Sequence, residues 1–304
     1  MDNGNDSLLE RIRELKEERR AVILAHNYQP PEIQDIADFV GDSLGLARQA
    51  AQVEAEVIVF CGVHFMAETS AIINPRKTTL IPDAQAGCPL ADTITPEGLR
   101  TLRKLHPAAA VVTYVNSTAA VKAESDYCCT SGNAIEVVKA VEAPEIIFTP
   151  DANLGRYVQR VTGRELIIWE GGCPIHQGIS PEAVREMVRV HPGAPVIAHP
   201  ECPPEVLELA DAVASTSGMF QVVEASSSRE FIVCTEAGMG HPLRKRFPDR
   251  EFHFPHPEPL CPDMKRISLH HVEKALREMR FRVEVPEEIR VRALRAVERM
   301  LAIG

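Results

Sequence analysis

The chain has no block of basic residues. Its 304 residues include 33 Lys and Arg against 43 Asp and Glu, giving a formal net charge of -10, and Arg244 to Arg246 is only a short cluster. Nucleic acids and anionic membrane surfaces attract clustered positive charge, so we expect neither as a partner. An anion bound by this chain must therefore be held locally, by helix ends and a few side chains.

Long apolar segments are also missing. The longest nearly apolar run, Val57 to Ala67, contains His64 and falls far short of the roughly 18 residues that span a bilayer. The first residues, Met1 to Ser7, are acidic and polar and lack the apolar core of a signal peptide. We expect a cytoplasmic protein, in which eight cysteines favour metal binding or catalysis over a disulfide framework.

The cysteines lack the close spacing within one loop that is typical of ferredoxins and of many zinc sites. This argues against electron transfer and against a zinc finger. Three of the cysteines, Cys88, Cys173 and Cys261, lie far apart in the chain, and each precedes a proline. Their positions need another explanation.

An internal repeat explains the positions of these three cysteines. Four hydroxyl residues suited to helix N-caps are separated by 88, 85 and 88 residues: Ser7, Thr95, Ser180 and Ser268. Thr95 and Ser180 are each followed by Pro-Glu, which is favoured in the first turn of a helix. Each of the three cysteines precedes the next cap by seven residues, so each closes one repeat.

Polar residues recur at fixed distances after the first three caps. They either end short apolar runs suited to buried parallel strands or open segments that read as helices. The recurring sets are His26, Tyr114 and His199; Tyr28, Asn116 and Glu201; and Ser43, Ser131 and Thr216. Strands that alternate with helices indicate parallel sheets, whose carboxyl ends form the binding edge. We therefore expect the three sets to share one site.

The pattern predicts an α/β fold of three pseudo-threefold-related α/β/α sandwich domains, with parallel sheets around a central active site. The predicted domains are residues 1–88 together with 262–304, residues 89–173, and residues 174–261. In the final segment we expect a helix after Ser268, a strand from Phe281 to Val285, and an amphipathic helix that packs on the first domain.

Convergence of the repeats would bring the thiolates of Cys88, Cys173 and Cys261 around one point. Three thiolates can hold a [4Fe–4S] cluster with one iron open to substrate, or Zn²⁺ with an open fourth position. An open position between domains suits Lewis-acid chemistry on a small molecule. The remaining cysteines are predicted to be structural: Cys61, Cys128, Cys129, Cys202 and Cys234.

The polar sets supply the rest of the predicted site. Residues at helix N-termini, either as caps or as ligands of carboxylate or phosphate, are Ser43, Ser131 and Thr216. Donors to an anion or a keto oxygen are His26, Tyr114 and His199. Glu201 and Tyr28 form the predicted proton-transfer pair, and His176, three residues after Cys173, can reach the metal centre.

Several strings of residues follow one another along essentially the whole chain: Ala25-His-Asn-Tyr-Gln29, Val115-Asn-Ser-Thr118, Thr130-Ser-Gly-Asn133, His199-Pro-Glu-Cys202 and Ala214-Ser-Thr-Ser-Gly-Met219. Together with the three Cys-Pro sites, they resemble the quinolinate synthase family of NAD biosynthesis. The resemblance implies an enzyme that condenses iminosuccinate with dihydroxyacetone phosphate to give quinolinate, phosphate and water.

The resemblance also implies roles for single residues. It implies one [4Fe–4S] cluster acting as a Lewis acid through an open iron, with Cys88, Cys173 and Cys261 as ligands. It implies proton transfer by Glu201 and Tyr28. The implied substrate-binding residues are His26, Ser43, Tyr114, Val115, Asn116, Ser131, His176, His199, Ser215 and Thr216. Some members carry a Cys-x-x-Cys-x-x-Cys run at the third ligand; only Cys261 is present here, so no redox disulfide is expected there.

Two further functions stay open on the residues alone. One is a zinc hydrolase with three thiolate ligands, and the other is a non-enzymatic iron–sulfur sensor that binds a partner. For the enzyme, we expect the labile imine to be handed over by the enzyme that makes it.

Overall fold

Strands built from nearly continuous apolar runs pair in parallel throughout the fold. In a computed structural model, residues 3–303 are described, and their named strands form three separate four-stranded sheets. Residues 1, 2 and 304, which belong to the predicted first domain, lie outside the described residues.

The first sheet contains the strands Ala21–His26 (β1), Phe39–Gly41 (β2), Val57–Cys61 (β3) and Thr78–Leu80 (β4). Their order across the sheet is β2-β1-β3-β4. The helices of this unit are Asn3–Arg19 (α1), Pro31–Ile36 (α2), Ser43–Gln52 (α3) and His64–Ile73 (α4).

The second unit repeats this arrangement after a short 3-10 turn, Ala91–Thr93. Its helices are Pro96–Leu105 (α5), Ala119–Lys122 (α6), Ala134–Ala140 (α7) and Ala152–Thr162 (α8). Its strands are Ala109–Tyr114 (β5), Tyr127–Cys129 (β6), Glu145–Thr149 (β7) and Ile167–Ile168 (β8), in the order β6-β5-β7-β8.

The third unit has the same strand order once more. Its helices are Pro174–Gln177 (α9), Pro181–Val190 (α10), Pro204–Leu207 (α11), Thr216–Ala225 (α12) and Gly240–Arg246 (α13), with a 3-10 turn at Ala237–Met239. Its strands are Val196–Ala198 (β9), Ala212–Val213 (β10), Glu230–Cys234 (β11) and Glu251–His253 (β12), in the order β10-β9-β11-β12. Three α/β/α units of one topology confirm the predicted fold class, while the exact domain limits stay a prediction.

The central strands are buried on both faces, as parallel strands between two helical layers must be. In β1, Val22 and Leu24 pack into the large core between the units, and Ile23 and Ala25 pack into a second core. That second core includes side chains of α1 and of Leu269–Glu278 (α14), and α1 and α14 pack against each other.

An aspartate joins the first two strands of every unit. In the first unit, Asp38 Oδ2 accepts a hydrogen bond of 2.7 Å from the N–H of Ile23, and its own N–H donates to the Ile23 carbonyl at 2.9 Å. Asp126 and Asp211 make the same side-chain contact at 2.8 Å with Val111 and Val196, respectively. These aspartates hold the same repeat position, a signal that the sequence interpretation overlooked.

Three of the four predicted caps stand at helix N-termini. Thr95 and Ser180 accept hydrogen bonds from the N–H groups of Gly98 and Ala183, at 3.1 Å each, and Ser268 precedes α14 in a capping box. The prediction for Ser7 is wrong. It lies inside α1, because that helix already runs from Asn3, with Asp6 as the acidic residue of its first turn.

The final segment differs from the prediction in two ways. The strand expected from Phe281 to Val285 is reduced to one antiparallel bridge between Arg282 and Leu80, because Met279 and Phe281 adopt positive φ angles of 51° and 57° that interrupt an extended backbone. The last helix, Glu287–Ala302 (α15), packs on α4 of the first unit and also on α6 and β6 of the second. It therefore packs on the first unit, as predicted, and also on the second, which was not predicted.

None of the helices in residues 3–303 is long and apolar enough to cross a membrane.

Loss of a helix cap should destabilise the fold measurably. We expect Thr95→Ala and Ser180→Ala each to lower the free energy of unfolding by about 1 kcal/mol, because one N–H at each helix start loses its acceptor. Urea unfolding of the variants measures this change. Ser7→Ala, at an exposed position within α1, is the control and should shift the value by less than about 0.5 kcal/mol. An equal loss in all three variants would contradict the assignment of the caps.

Candidate active site

The three sheets direct the ends of their central strands toward one cavity of about 330 Å³. His26 ends β1, Tyr114 ends β5, and His199 directly follows β9. Of the predicted residues, those that line the cavity are His26, Tyr28, Ser43, Cys88, Tyr114, Asn116, Ser131, Cys173, His176, His199, Glu201, Thr216 and Cys261. The structure thus brings together residues that are up to 235 positions apart in the chain, as His26 and Cys261 are.

Val115 and Ser215 do not line this cavity. Val115 is buried, and its N–H donates to the carbonyl of Cys129 at 2.9 Å. Ser215 is the N-cap of α12 and accepts from the N–H of Gly218 at 3.2 Å. Each is the chain neighbour of a lining residue, so any contact with a ligand stays a prediction.

Ser43 and Thr216 do not cap their helices, because the residue before each of them accepts the capping hydrogen bond. Asp42 and Ser215 cap α3 and α12, and Thr130 accepts from the N–H of Gly132 at 3.2 Å in the turn before α7. The following residues that face the cavity are Ser43, Ser131 and Thr216. Ser131 does not open a helix as predicted, since α7 begins only at Ala134. This division of roles favours ligand binding over capping for all three.

Each of the three repeat-equivalent cysteines opens, with the proline that follows it, a single helical turn. The carbonyl of Cys88 accepts from the N–H of Asp92 at 3.2 Å, that of Cys173 from Gln177 at 2.9 Å, and that of Cys261 from Lys265 at 3.2 Å. Proline suits the first position of such a turn because it needs no N–H there and has a fitting φ. The recurring proline therefore has a structural cause.

The three thiols are suited to a bound metal cofactor. Burial raises the pKa of Cys88 to about 12 and also raises the pKa of Cys173 and of Cys261. The backbone N–H groups of the second and third residues after each cysteine oppose that rise. Such thiols ionise when a metal cation binds them, and their N–H neighbours then stabilise the thiolate. The remaining cysteines are buried, as predicted for structural residues.

A chain of hydrogen bonds joins the predicted acid–base pair. His176 Nδ1 lies 2.7 Å from Glu201 Oε2 and 3.2 Å from Cys173 Sγ. His176 Nε2 lies 2.9 Å from Thr235 Oγ1, which in turn lies 2.6 Å from the hydroxyl of Tyr28. Because an ionised carboxylate only accepts, His176 donates from Nδ1 to Glu201. The chain then runs from the phenol of Tyr28 to the carboxylate of Glu201.

His26 and His199 are neutral donors toward the cavity. Burial lowers the pKa of each imidazole to about 3. Nδ1 of His26 accepts from the N–H of Tyr28 at 3.2 Å, and Nδ1 of His199 accepts from the N–H of Glu201 at 3.4 Å. The proton of each ring is therefore on Nε2. In His199 that nitrogen lies 3.2 Å from Ser131 Oγ.

Burial and neighbouring groups shift the pKa values of Tyr28, Tyr114 and Glu201. Burial, and secondly the charge of Glu201, raises the pKa of Tyr28 and of Tyr114 well above the ordinary value, so both phenols keep their protons. Burial alone would raise the pKa of Glu201, but the imidazoles of His176 and His199 hold it below the ordinary range. The site thus combines one carboxylate base with several neutral donors.

The cavity is built to receive polar groups without Lys or Arg. None of its lining residues in the described chain is Lys or Arg. Two buried oxygens without a hydrogen-bond partner among the described residues, Glu201 Oε1 and Asn116 Oδ1, belong to residues of its wall. Buried polar atoms normally have partners, so these two are suited to a ligand.

The sequence interpretation missed several residues of this region. Asp42, Thr130 and Glu236 line the cavity, and Thr235 joins Tyr28 to His176. Asp42, Thr130 and Ser215 share one repeat position, directly before the predicted helix-start set. That recurrence was a usable signal; Thr235 has no polar counterpart in the other units and offered none.

The fold and the site define a three-unit α/β enzyme with a cysteine-lined central cavity. A family model described as "Quinolinate synthetase A protein" matches residues 10–302. The chain is 53% identical over 300 residues to a quinolinate synthase of Desulforudis audaxviator, covering 98% of this chain and 99% of the relative. It is 52% identical over 296 residues to quinolinate synthase 1 of Methanosarcina acetivorans, covering 97% of each chain. It is 51% identical over 298 residues to a quinolinate synthase of Geobacter sp. strain M21, covering 98% of each.

The chain belongs to the quinolinate synthase family. This membership confirms the resemblance read from the sequence, and with it an enzyme of quinolinate synthesis in NAD biosynthesis that acts on small molecules. The cysteines and the group Cys173, His176 and Glu201 fit a metal cofactor.

The buried neutral histidines predict that the fold weakens in mild acid. Between about pH 6.5 and pH 3, the unfolded chain takes up protons that folded His26 and His199 exclude, so the free energy of unfolding should rise with pH and level off above that window. Each histidine adds a slope of up to about 1.4 kcal/mol per pH unit. Urea unfolding at several pH values measures it.

Removing one of these histidines should flatten the profile. His26→Gln is expected to reduce the slope, whereas His64→Gln, at an exposed residue, leaves it unchanged. Parallel curves for His26→Gln and the unchanged protein would show that His26 is not held neutral.

Proposed function

We propose that this chain condenses iminosuccinate with dihydroxyacetone phosphate to form quinolinate, phosphate and water. One observation carries the proposal: three repeat-equivalent cysteine turns line the same small cavity as the hydrogen-bonded chain from Tyr28 to Glu201. Family membership supports the reaction, since the relatives are named quinolinate synthases.

Cys88, Cys173 and Cys261 would hold one [4Fe–4S] cluster. Three sulfurs on one zinc ion, at about 2.3 Å each, would lie roughly 3.8 Å from one another. In residues 3–303, the sets of ligating atoms within 4.8 Å of one another are Cys173 with His176 and Glu201, and His191 with Glu230 and His253. The three cysteines do not form such a set, so their spacing favours a larger centre over one zinc ion. When bound, the cluster supplies a Lewis-acidic iron with an open coordination position.

The helix-start residues would bind the carboxylates of iminosuccinate. The N-termini of α3 and α12 present N–H groups and positive dipole ends near Ser43 and Thr216. Ser131 and Asn116 add polar groups in the same cavity. Binding of carboxylates by helix N-termini and uncharged polar side chains suits a cavity whose wall contains no Lys or Arg among the described residues. Val115 and Ser215 would act from behind this wall.

The strand-end residues would hold and orient the reacting atoms. The Nε2–H groups of His26 and His199 and the phenol of Tyr114 are neutral donors suited to carboxylate or keto oxygens. Neutral donors bind such oxygens without competing for the proton that the reaction must move.

Glu201 would remove protons, and Tyr28 would donate them. Glu201 is ionised and has one oxygen without a partner, so it can accept a proton from substrate. Thr235 and His176 link the two ends, so the proton that Glu201 gains can pass through His176 and Thr235 to the phenolate that remains when Tyr28 gives up its own proton. Each link is of hydrogen-bonding length, which proton transfer requires.

The small buried cavity would also protect a labile imine from water. We propose that the imine arrives by hand-over from the enzyme that makes it, in the cytoplasm. The zinc hydrolase is disfavoured by the cysteine spacing, and a purely sensory role by the catalytic chain between Glu201 and Tyr28.

The central experiment is an anaerobic assay for quinolinate from the two substrates, with iron counted in the same sample. We expect quinolinate formation and about four irons per chain. A colourless, iron-free protein of full activity would refute the proposal, and stoichiometric zinc with turnover would favour the hydrolase.

Each proposed cluster ligand should be required for the cofactor. We expect Cys88→Ser, Cys173→Ser and Cys261→Ser to lose most iron and nearly all activity, because three ligands from three units hold the cluster together. Iron analysis and the visible spectrum measure the loss. Cys61→Ala, at a buried cysteine outside the cavity, is the control and should keep its iron. Full iron in a serine variant and also in the matching alanine variant, which has no oxygen to replace the sulfur, would exclude that cysteine as a ligand.

The role of Glu201 can be separated from cluster binding. Glu201→Gln keeps the size of the side chain but removes the base, so kcat should fall by about 100- to 10,000-fold with iron content unchanged. Glu136→Gln, on the exposed side of α7, serves as the control. Unchanged kcat in Glu201→Gln would assign proton removal to another group.

A further inference from the structure

Two buried carboxylates occupy the same repeat position in the second and third units. Asp151 lies two residues after the end of β7, and Glu236 lies two residues after the end of β11. Their exposed fractions are 0% and 1%, respectively. Buried acids need partners, and both acids share two kinds, while Glu236 also pairs with Lys265, whose Nζ lies 2.8 Å from Glu236 Oε1.

One carboxylate oxygen of each residue holds the backbone of a cavity cysteine. Asp151 Oδ2 accepts from the N–H of Cys173 at 3.2 Å, and Glu236 Oε1 accepts from the N–H of Cys261 at 3.0 Å. The other oxygen caps the helical turn that follows the strand. Asp151 Oδ1 accepts from the N–H of Leu154 at 2.8 Å, and Glu236 Oε2 accepts from that of Gly238 at 2.8 Å.

Only a carboxylate fits this double role. Two N–H donors approach two different oxygens, whereas an amide of the same shape has one acceptor oxygen and one donor nitrogen. The side chain of Asn or Gln could therefore accept a hydrogen bond from either the helical turn or the cysteine. Its NH2 group would then face the other N–H, and two donors form no hydrogen bond. Ser at position 151 could still cap α8 but is too short to serve both.

The first unit solves the same problem with a residue of the Cys261 turn. Val63 stands at the equivalent position and has no polar side chain. Instead, Asp263 Oδ1 accepts from the N–H of Gly87 at 3.2 Å, and Gly87 directly precedes Cys88. Because Asp263 lies two residues after Cys261, the cysteine turn of the third unit holds that of the first.

We infer that Asp151, Glu236 and Asp263 are positioning residues, one for each cysteine turn, that set the three sulfurs for the metal centre. The inference rests on the proposed function, because it requires that the three turns hold a metal centre. The carboxylates contact the backbone of the turns, leaving the sulfurs free for iron. Partners that orient metal ligands in this way typically contribute 10- to 100-fold to metal affinity.

The test uses the iron-loaded enzyme and the rate of iron release to a ferrous chelator under anaerobic conditions. We expect Asp151→Asn, Asp151→Ser and Glu236→Gln to release iron about 10- to 100-fold faster than the unchanged protein. Asp151→Ser keeps the cap of α8, so its faster release would come from the lost contact to Cys173. Asp263→Ala, at a half-buried residue, extends the test to the Cys88 turn without altering a buried cap.

Two control variants separate positioning from general stability. Thr95→Ala removes a helix cap whose hydrogen bond goes to Gly98 and not to a cysteine turn, and Glu273→Gln changes a buried carboxylate of α14 that pairs with Arg277. Both should release iron at the rate of the unchanged protein, although Thr95→Ala is less stable. Equal rates in the positioning variants and the unchanged protein would overturn the inference, as would equal acceleration in Thr95→Ala. An unchanged protein that binds no iron would overturn the proposed function instead, and the inference with it.

Discussion

A parallel sheet covered on both faces can place polar groups only at the ends of its strands, and in this fold three such ends share one cavity. The interior of β1 is apolar on each face, with Val22 and Leu24 on one side and Ile23 and Ala25 on the other. Polar side chains accordingly begin where the strand stops, at His26. The same constraint holds in each unit, so the strand-end residues of all three units meet at one cavity. In the sequence, the repeat is the pattern that predicts this meeting.

Burial then fixes the chemistry of the gathered residues. Removal from water keeps His26 and His199 neutral and keeps the phenols of Tyr28 and Tyr114 protonated, because each charged form would lose its hydration. Glu201 remains the charged member of the group, since two imidazoles face it. In this site, the environment of each side chain determines that Glu201 is the base and that the other groups are hydrogen-bond donors.

The repeat made most of the fold predictable. The predictions failed at positions where the three units differ from one another. The α/β/α units, their parallel sheets and the meeting of the three cysteines at one cavity followed from equivalent positions. The sequence left open whether Ser43 is a cap or a ligand, because Asp42 and Ser43 are both polar and only geometry shows that Asp42 caps α3. Asp151 and Glu236 were overlooked because the first unit has Val63 in their place. Positive φ angles at Met279 and Phe281 interrupt the expected strand. Neither residue is Gly or Asn, which would have indicated a positive φ angle in the sequence.

The contact from Asp263 to Gly87 links the last cysteine turn to the first across the molecule. A nascent chain that ends before this turn lacks both Cys261 and the acceptor that holds the Cys88 turn. The proposed cofactor can therefore be inserted only late in biogenesis, after the third unit has been synthesised and has docked. Iron delivery and the final step of domain assembly would then be one event, and a maturation factor would meet a nearly complete protein.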